Sequence, residues 1–140
     1  MKSLHKYWLP VIVALVLLPV VAAAKPAPSE PKPELPKTGV NLARAKGGWL
    51  NIEAVGHRFV VKFYDAKKKQ FTPDMTRGLV RYYYTAKAIH PPVPLNRAKD
   101  GRALESPNKV KPPHVFHMHV VLLAEGSDEP VESYNFRYPG

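Results

Sequence analysis

Hydrophobic and polar residues alternate along residues 49–65 in a pattern that predicts a β-hairpin. Two β-rich runs, 49–55 and 58–65, flank Gly56-His57, and a two-residue loop that begins with glycine favours a type II′ turn. The register that this turn imposes places apolar residues opposite one another on one side of the sheet, Leu50 with Phe63, Ile52 with Val61 and Ala54 with Phe59. The other side pairs Asn51 with Lys62. One face is therefore expected to pack on a core.

The same alternation predicts further strands at residues 79–85, 114–124 and 131–138. Run 114–124 is apolar on both faces, which favours a central position, and the short loop after it predicts a hairpin with 131–138. Asp100-Gly101 predicts a small hairpin of 93–97 with 102–105, placed at a sheet edge because of the surrounding prolines. Six or seven short antiparallel strands predict an all-β fold, an immunoglobulin-like β-sandwich, with a small closed β-barrel as the alternative.

The first 24 residues have the pattern of a secretory signal peptide. Lys2 and Lys6 precede an apolar run, and Ala22-Ala23-Ala24 supplies the small residues that signal peptidase requires. The apolar stretch 8–24 is shorter than the about 20 residues that span a bilayer. We therefore expect cleavage after Ala24 and no stable membrane span afterwards, with a retained anchor as the alternative. The expected location is the periplasm or the extracellular medium.

Residues 25–45 are expected to form a proline-rich, disordered tether between the signal peptide 1–24 and a β domain at 46–140. Residues 35–39 within the tether read LPKTG, which resembles the sorting motif of sortase-anchored cell-wall proteins. In that family the motif lies near the C-terminus, before an apolar helix and a basic tail. A whole domain follows it here, so no function is transferred from the resemblance.

Charge and composition narrow the classes of partner. The formal net charge of +10 falls to +8 once Lys2 and Lys6 are removed with the signal peptide. The basic residues are not interleaved with aromatic residues, as a base-stacking surface would require, so no nucleic acid is expected. An envelope protein or an anionic glycan is the expected partner. The residues expected to contact an anionic surface are Lys67, Lys68, Lys69, Arg97, Lys99 and Arg102.

Three histidines within six residues form the one candidate metal site. His117 and His119 have the same parity on a strand, with Cα atoms about 6.6 Å apart, and neutral imidazole suits copper or zinc. His114 has the wrong parity, although a bulge after Pro112-Pro113 would bring it into line. Met118 faces the other way. The alternatives are that the pair consists of ordinary sheet residues, or that it forms a pH-sensitive contact.

No arrangement of residues indicates an enzyme. The chain has no cysteine, which excludes a thiol nucleophile, an iron–sulfur cluster and a cysteine-ligated copper centre. No serine lies in a G-x-S-x-G elbow, and no glycine-rich loop could hold a phosphate. We therefore expect an exported, non-catalytic binding or structural module of the bacterial cell envelope. A cysteine-free periplasmic protein that binds copper or zinc through its histidine pair is the alternative, and an unrecognised hydrolase is a more remote one.

Overall fold

The computed structural model describes residues 31–83, 91–111 and 116–139. The expected signal peptide 1–24, the first part of the tether and His114 lie outside these residues. No helix in the described ranges is long and apolar enough to cross a membrane. The described chain contains nine β-strands: β1 (Val40–Ala43), β2 (Trp49–Val55), β3 (Arg58–Tyr64), β4 (Gln70–Phe71), β5 (Arg77–Tyr83), β6 (Val93–Arg97), β7 (Ala103–Glu105), β8 (Phe116–Leu123) and β9 (Pro130–Tyr138).

All nine strands belong to one antiparallel sheet, which curls into a nearly closed, barrel-like form. The strand order is β1-β2-β3-β7-β6-β5-β8-β9, and β4 pairs with β3 beside this path. The prediction of an all-β, antiparallel fold is confirmed. β8 has a strand neighbour on each side, in agreement with its apolar residues on both faces.

The β2–β3 hairpin has the register that its turn predicts. Leu50 lies opposite Phe63, and Ile52 lies opposite Val61. Gly56 has a φ of 60°, the left-handed conformation that a type II′ turn requires at its first central position. The four paired side chains are fully buried, so the apolar face of the hairpin is the interior face.

The hairpin predicted around Asp100-Gly101 forms from β6 and β7, but its predicted place at a sheet edge is wrong. It lies between β3 and β5 and joins the two halves of the sheet. Pro94 is tolerated there because β6 pairs with β7 only through Asn96 and Arg97. At Pro94 the strand has a neighbour on one side only, the condition that proline needs in a sheet.

The sheet includes residues that the sequence assigned to the tether. β1 pairs with β2, and the side-chain amide groups of Asn41 and Asn51 donate hydrogen bonds to the carbonyl oxygens of Pro36 and Thr38. Gly39 has a φ of 76°, and a Cβ at this position would lie 2.5 Å from the carbonyl oxygen of Ile52. The end of the LPKTG segment is therefore packed on the domain, and its glycine meets a steric requirement.

Apolar side chains fill the sheet interior, and aromatic rings occupy the end where β8 begins. Phe59 and Phe116 meet edge to face with ring centroids 5.6 Å apart, and Tyr82 lies within 5.3 Å of both rings. Tyr138 stacks on Phe116. The hydroxyl of Tyr138, near the end of β9, accepts a hydrogen bond from the backbone N–H of Ala54 in β2. This contact crosses the gap at the open side of the sheet and joins β9 to β2, beyond the end of β1.

At the other end of the interior, a buried arginine bridges the same gap. Arg44 follows β1, and its guanidinium donates to both carboxylate oxygens of Glu132 in β9, at 3.0 and 2.6 Å. It also donates to Asp74 at 3.0 Å and lies over the ring of Phe63. The Arg44 and Glu132 side chains are 2% and 5% exposed, so the ion pair is shielded from water. Tyr134 donates a further hydrogen bond to Glu132.

This cluster changes the acidity of its members. Burial by itself would raise the pKa of Glu132, but hydrogen bonds from Arg44 and Tyr134 outweigh it and hold that pKa below the usual value. Burial raises the pKa of the Tyr134 phenol, and its hydrogen bond to the Glu132 carboxylate raises it further. The folded protein therefore favours an ionised Glu132 and a neutral Tyr134.

Removing the charge of Glu132 is expected to destabilise the fold strongly. Breaking a buried ion pair from one side leaves an uncompensated charge, so Glu132→Gln should lower the free energy of unfolding by about 3 kcal/mol. The matched control is Glu105→Gln, which breaks the half-exposed pair with Arg58 and should cost less than about 1 kcal/mol. Urea unfolding followed by fluorescence measures both. Equal losses in the two variants would contradict a closing role for Glu132.

The stability of the fold should decline at both extremes of pH. Because the pKa of Glu132 is lowered on folding, its contribution is complete above the usual value of 4.5 and is lost as the pH falls through the folded value. Because the pKa of Tyr134 is raised, its contribution is complete below 10 and is lost as the pH rises further. Urea unfolding at a series of pH values tests both limbs. Glu132→Gln should flatten the acid limb and Tyr134→Phe the alkaline one, and an unchanged profile in either variant would contradict the assignment.

Candidate functional site

The two basic segments singled out in the sequence meet at one end of the sheet. Lys67, Lys68 and Lys69 lie in the turn between β3 and β4, and Lys99 and Arg102 lie in the turn between β6 and β7. β3 pairs with β7 next to both turns, with Lys62 opposite Ala103. The side-chain amide of Gln70, the β4 residue directly after the first turn, donates to the carbonyl oxygen of Arg102 at 3.2 Å and so links β4 to the β6–β7 turn. We call these five cationic residues and their two turns the basic end.

The acidic residues of the basic end accept hydrogen bonds from backbone N–H groups. The carboxylate of Asp65 accepts hydrogen bonds from the N–H groups of Lys67 and Lys69 at 2.8 and 2.9 Å. Asp100 accepts in the same way from the N–H of Arg102. These contacts hold the turns in shape, and Lys68 adopts a left-handed φ of 63° within the first of them. All five cationic side chains are exposed, and none forms an ion pair with any residue the structure describes.

A groove of about 350 Å³ lies between β4 with the residue that follows it and the β6–β7 turn. Its lining combines an amide, a hydroxyl, a guanidinium and one aromatic ring, contributed by Gln70, Thr72, Arg102 and Phe71. Exposed lysines stand beside this groove in the β3–β4 turn. With five cationic side chains and two carboxylates in the adjoining turns, the surroundings of this polar groove carry a net positive charge and can hold a hydrated, negatively charged chain.

Arg97 has a different environment from the other predicted contact residues. Its guanidinium donates to the carbonyl oxygen of Pro73 at 3.0 Å, so it links β6 to the segment before β5. At least one N–H group of the Arg97 guanidinium is therefore occupied by a hydrogen bond within the protein. We count Arg97 as a support of the basic end, because Pro73 lies directly after the groove residue Thr72.

His117 and His119 both point outward from β8, on the face opposite the buried Met118. The ring of His117 stacks on Tyr83 with centroids 5.3 Å apart, and the Nε2 atom of His119 lies 2.7 Å from the Oγ atom of Ser133. Arg81 lies directly opposite His119, and Arg137 lies directly opposite His117. Two cations beside the pair make its surroundings more favourable to an anion than to a metal cation.

No group of three metal-ligating side chains occurs within ranges 31–83, 91–111 and 116–139. His114, the third ligand considered from the sequence, is not among the described residues. His57 is engaged elsewhere, with its Nδ1 atom 3.0 Å from the carbonyl oxygen of Val110. Binding of copper or zinc by His117 and His119 stays a prediction.

Sequence reasoning did not single out Arg81, Tyr83, Ser133 or Arg137 on the outward faces of β5 and β9. Their alternation along each strand was visible, and it places all four on outward faces. Their proximity to the histidines depends on the pairing of β5 with β8, which crosses more than thirty residues of chain. No local turn signal specifies such a pairing.

Comparisons of the chain with protein-family models, with curated proteins and with solved structures found no match.

Proposed function

We propose that this chain is an exported, non-catalytic binding module that attaches to an anionic glycan of the cell envelope through its basic end. The observation that carries the proposal is the charge imbalance there. Five exposed cationic residues stand on two adjacent turns, while Asp65 and Asp100 are occupied with backbone N–H groups. Such a concentration of like charge attracts polyanions and raises their rate of encounter.

The groove within the basic end favours a glycan over a protein partner. Protein interfaces have a largely apolar, aromatic centre, whereas this groove is lined by polar side chains and a single half-buried phenylalanine, Phe71. Amide, hydroxyl and guanidinium groups match the hydroxyl and carboxylate groups of an acidic saccharide. An envelope protein with an acidic surface is the competing partner.

We infer that the scaffold under this site is a small β-barrel, in preference to the immunoglobulin-like sandwich. A single path of neighbouring strands from β1 to β9 supports this inference. So do the two contacts across the remaining gap, one between Arg44 and Glu132 and the other between Tyr138 and Ala54. A closed sheet gives the turns at its end a rigid support, as binding loops require.

Export of the protein is the first step of the proposal. The pattern of residues 1–24 supports secretion with cleavage after Ala24. When the full chain is expressed in a bacterium with an export pathway, the protein recovered from the periplasm should begin at Lys25. N-terminal sequencing and intact mass measure this. Recovery of the unprocessed chain from the cytosol alone would contradict export.

Binding to an acidic polysaccharide should depend on the basic end. We expect the purified protein to bind immobilised polygalacturonate, with an affinity that falls as salt rises, and not to bind neutral dextran. The variant Lys67→Gln/Lys68→Gln/Lys69→Gln should bind about tenfold more weakly, because each exposed ion pair contributes about 0.2–1 kcal/mol.

The matched control for this experiment is Lys32→Gln/Lys37→Gln/Lys109→Gln, which removes the same charge outside the two turns. It should retain most of the affinity of the unaltered protein. Equal losses in the two variants would show that only net charge matters and would contradict a site at the basic end. Binding to an acidic protein surface but not to polygalacturonate would favour the competing partner.

A further inference from the structure

The outward side of β5, β8 and β9 presents three ordered rows of side chains. Pairing of the strands aligns Tyr83, His117 and Arg137 in one row and Arg81, His119 and Asn135 in the next. The third row is less polar and contains Leu79, Val121 and Ser133. Side chains directly opposite one another on neighbouring strands have Cβ atoms about 4.5–5.5 Å apart, so each row is a set of contacting groups. We call this surface the three-strand face.

A depression of about 360 Å³ lies on the three-strand face. Its apolar lining is formed by Leu79, Val121, Leu123 and Pro130. Its polar lining is formed by Arg81, His119, Asp128 and Ser133. Pockets for small molecules occupy about 300–1,000 Å³ and combine an apolar lining with a few polar groups that fix orientation. This depression meets that description at the lower end of the size range.

The charges around the depression are arranged asymmetrically. Arg81 is exposed and makes no ion pair or side-chain hydrogen bond with any residue in the described part of the chain. Asp128, the one acidic residue of the lining, is paired with Arg77 at 3.1 Å. The negative charge of the site is therefore compensated, and the positive charge of Arg81 is left for a ligand.

His119 and Ser133 supply a second polar contact beside Arg81. Their Nε2 and Oγ atoms share one hydrogen bond of 2.7 Å. If Ser133 donates in that bond, the imidazole carries its hydrogen on Nδ1. If His119 donates, the hydrogen of the serine hydroxyl is left over. In either tautomer the pair retains one further donor for an anion.

We propose that the depression on the three-strand face binds a small amphipathic anion, a carboxylate attached to a medium-length apolar chain. The carboxylate pairs with the Arg81 guanidinium and accepts a hydrogen bond from the His119–Ser133 pair. The apolar chain lies over Leu79, Val121 and Leu123. Burial of the ligand's apolar chain and pairing of its carboxylate with Arg81 then both contribute to affinity. A purely apolar ligand would lack the second contribution, and a purely ionic ligand would lack the first. The proposal does not depend on the basic end.

Titration of the purified protein with octanoate, followed by calorimetry and by the NMR signals of His119 and of the Val121 methyl groups, tests this site. We expect saturable binding that shifts these signals. Acetate has the same head group without the chain, and octanol has the chain without the charge. Both should bind at least about tenfold more weakly than octanoate. Equal binding of acetate or of octanol would overturn the proposal.

Variants assign the binding to the depression. Arg81→Gln should weaken octanoate binding about tenfold, because a hydrogen bond to a charged group is lost. Val121→Thr keeps the side-chain shape, replaces one methyl group of the apolar lining by a hydroxyl, and should weaken binding severalfold. Arg137→Gln removes the same charge outside the lining and should change affinity less than about twofold.

Thermal unfolding separates these effects from misfolding, since Arg81 and Arg137 are both exposed and their variants should unfold like the unaltered protein. A folded Arg81→Gln protein with unchanged octanoate affinity would overturn the proposal. So would an Arg137→Gln protein that loses as much affinity as Arg81→Gln.

Discussion

The buried ion pair of Arg44 and Glu132 is the interaction on which the nearly closed form of the sheet most depends. It joins the chain directly after the first strand to the last strand, across a gap that lacks a continuous ladder of backbone hydrogen bonds. Water would compete with such a contact, but here both side chains are almost fully buried, and Phe63, Asp74 and Tyr134 satisfy the groups around them. The low local dielectric strengthens the pair and makes its loss costly.

Pairing of the strands also determines where the two candidate binding surfaces lie. Adjacent antiparallel strands bring the β3–β4 and β6–β7 turns to one end, where their lysines and arginine form the basic end. Alternate side chains of β5, β8 and β9 face outward, and the pairing of these strands brings Arg81, His119 and Ser133 to one depression. The charged side chains of both surfaces lie outside the buried core. These charged side chains can therefore contact a ligand without disturbing the packing of the core.

Local signals in the sequence were sufficient to predict the hairpins but not to predict their positions within the sheet. Gly56 fixed one register, because only one alignment of β2 and β3 puts Leu50 and Phe63 on a common apolar face. The turn at Asp100-Gly101 was equally readable, but its hairpin lies within the sheet and not at its edge. The β1 strand was not predicted, because proline-rich sequence precedes it. A strand of only four residues shows too little alternation to be recognised without its partner strand.

The amino-acid sequence by itself determined the all-β character of the domain, the β2–β3 register, the outward parity of His117 and His119, and the positive charge of the surface. Each of these follows from side chains close together in the chain. Only the tertiary structure decided that Arg44 would meet Glu132, that two basic turns would become one surface, and that Arg81 would face His119. These contacts join residues 30 to 90 positions apart. Their geometry is set by the strand pairing and curvature of the whole sheet, which no short segment encodes.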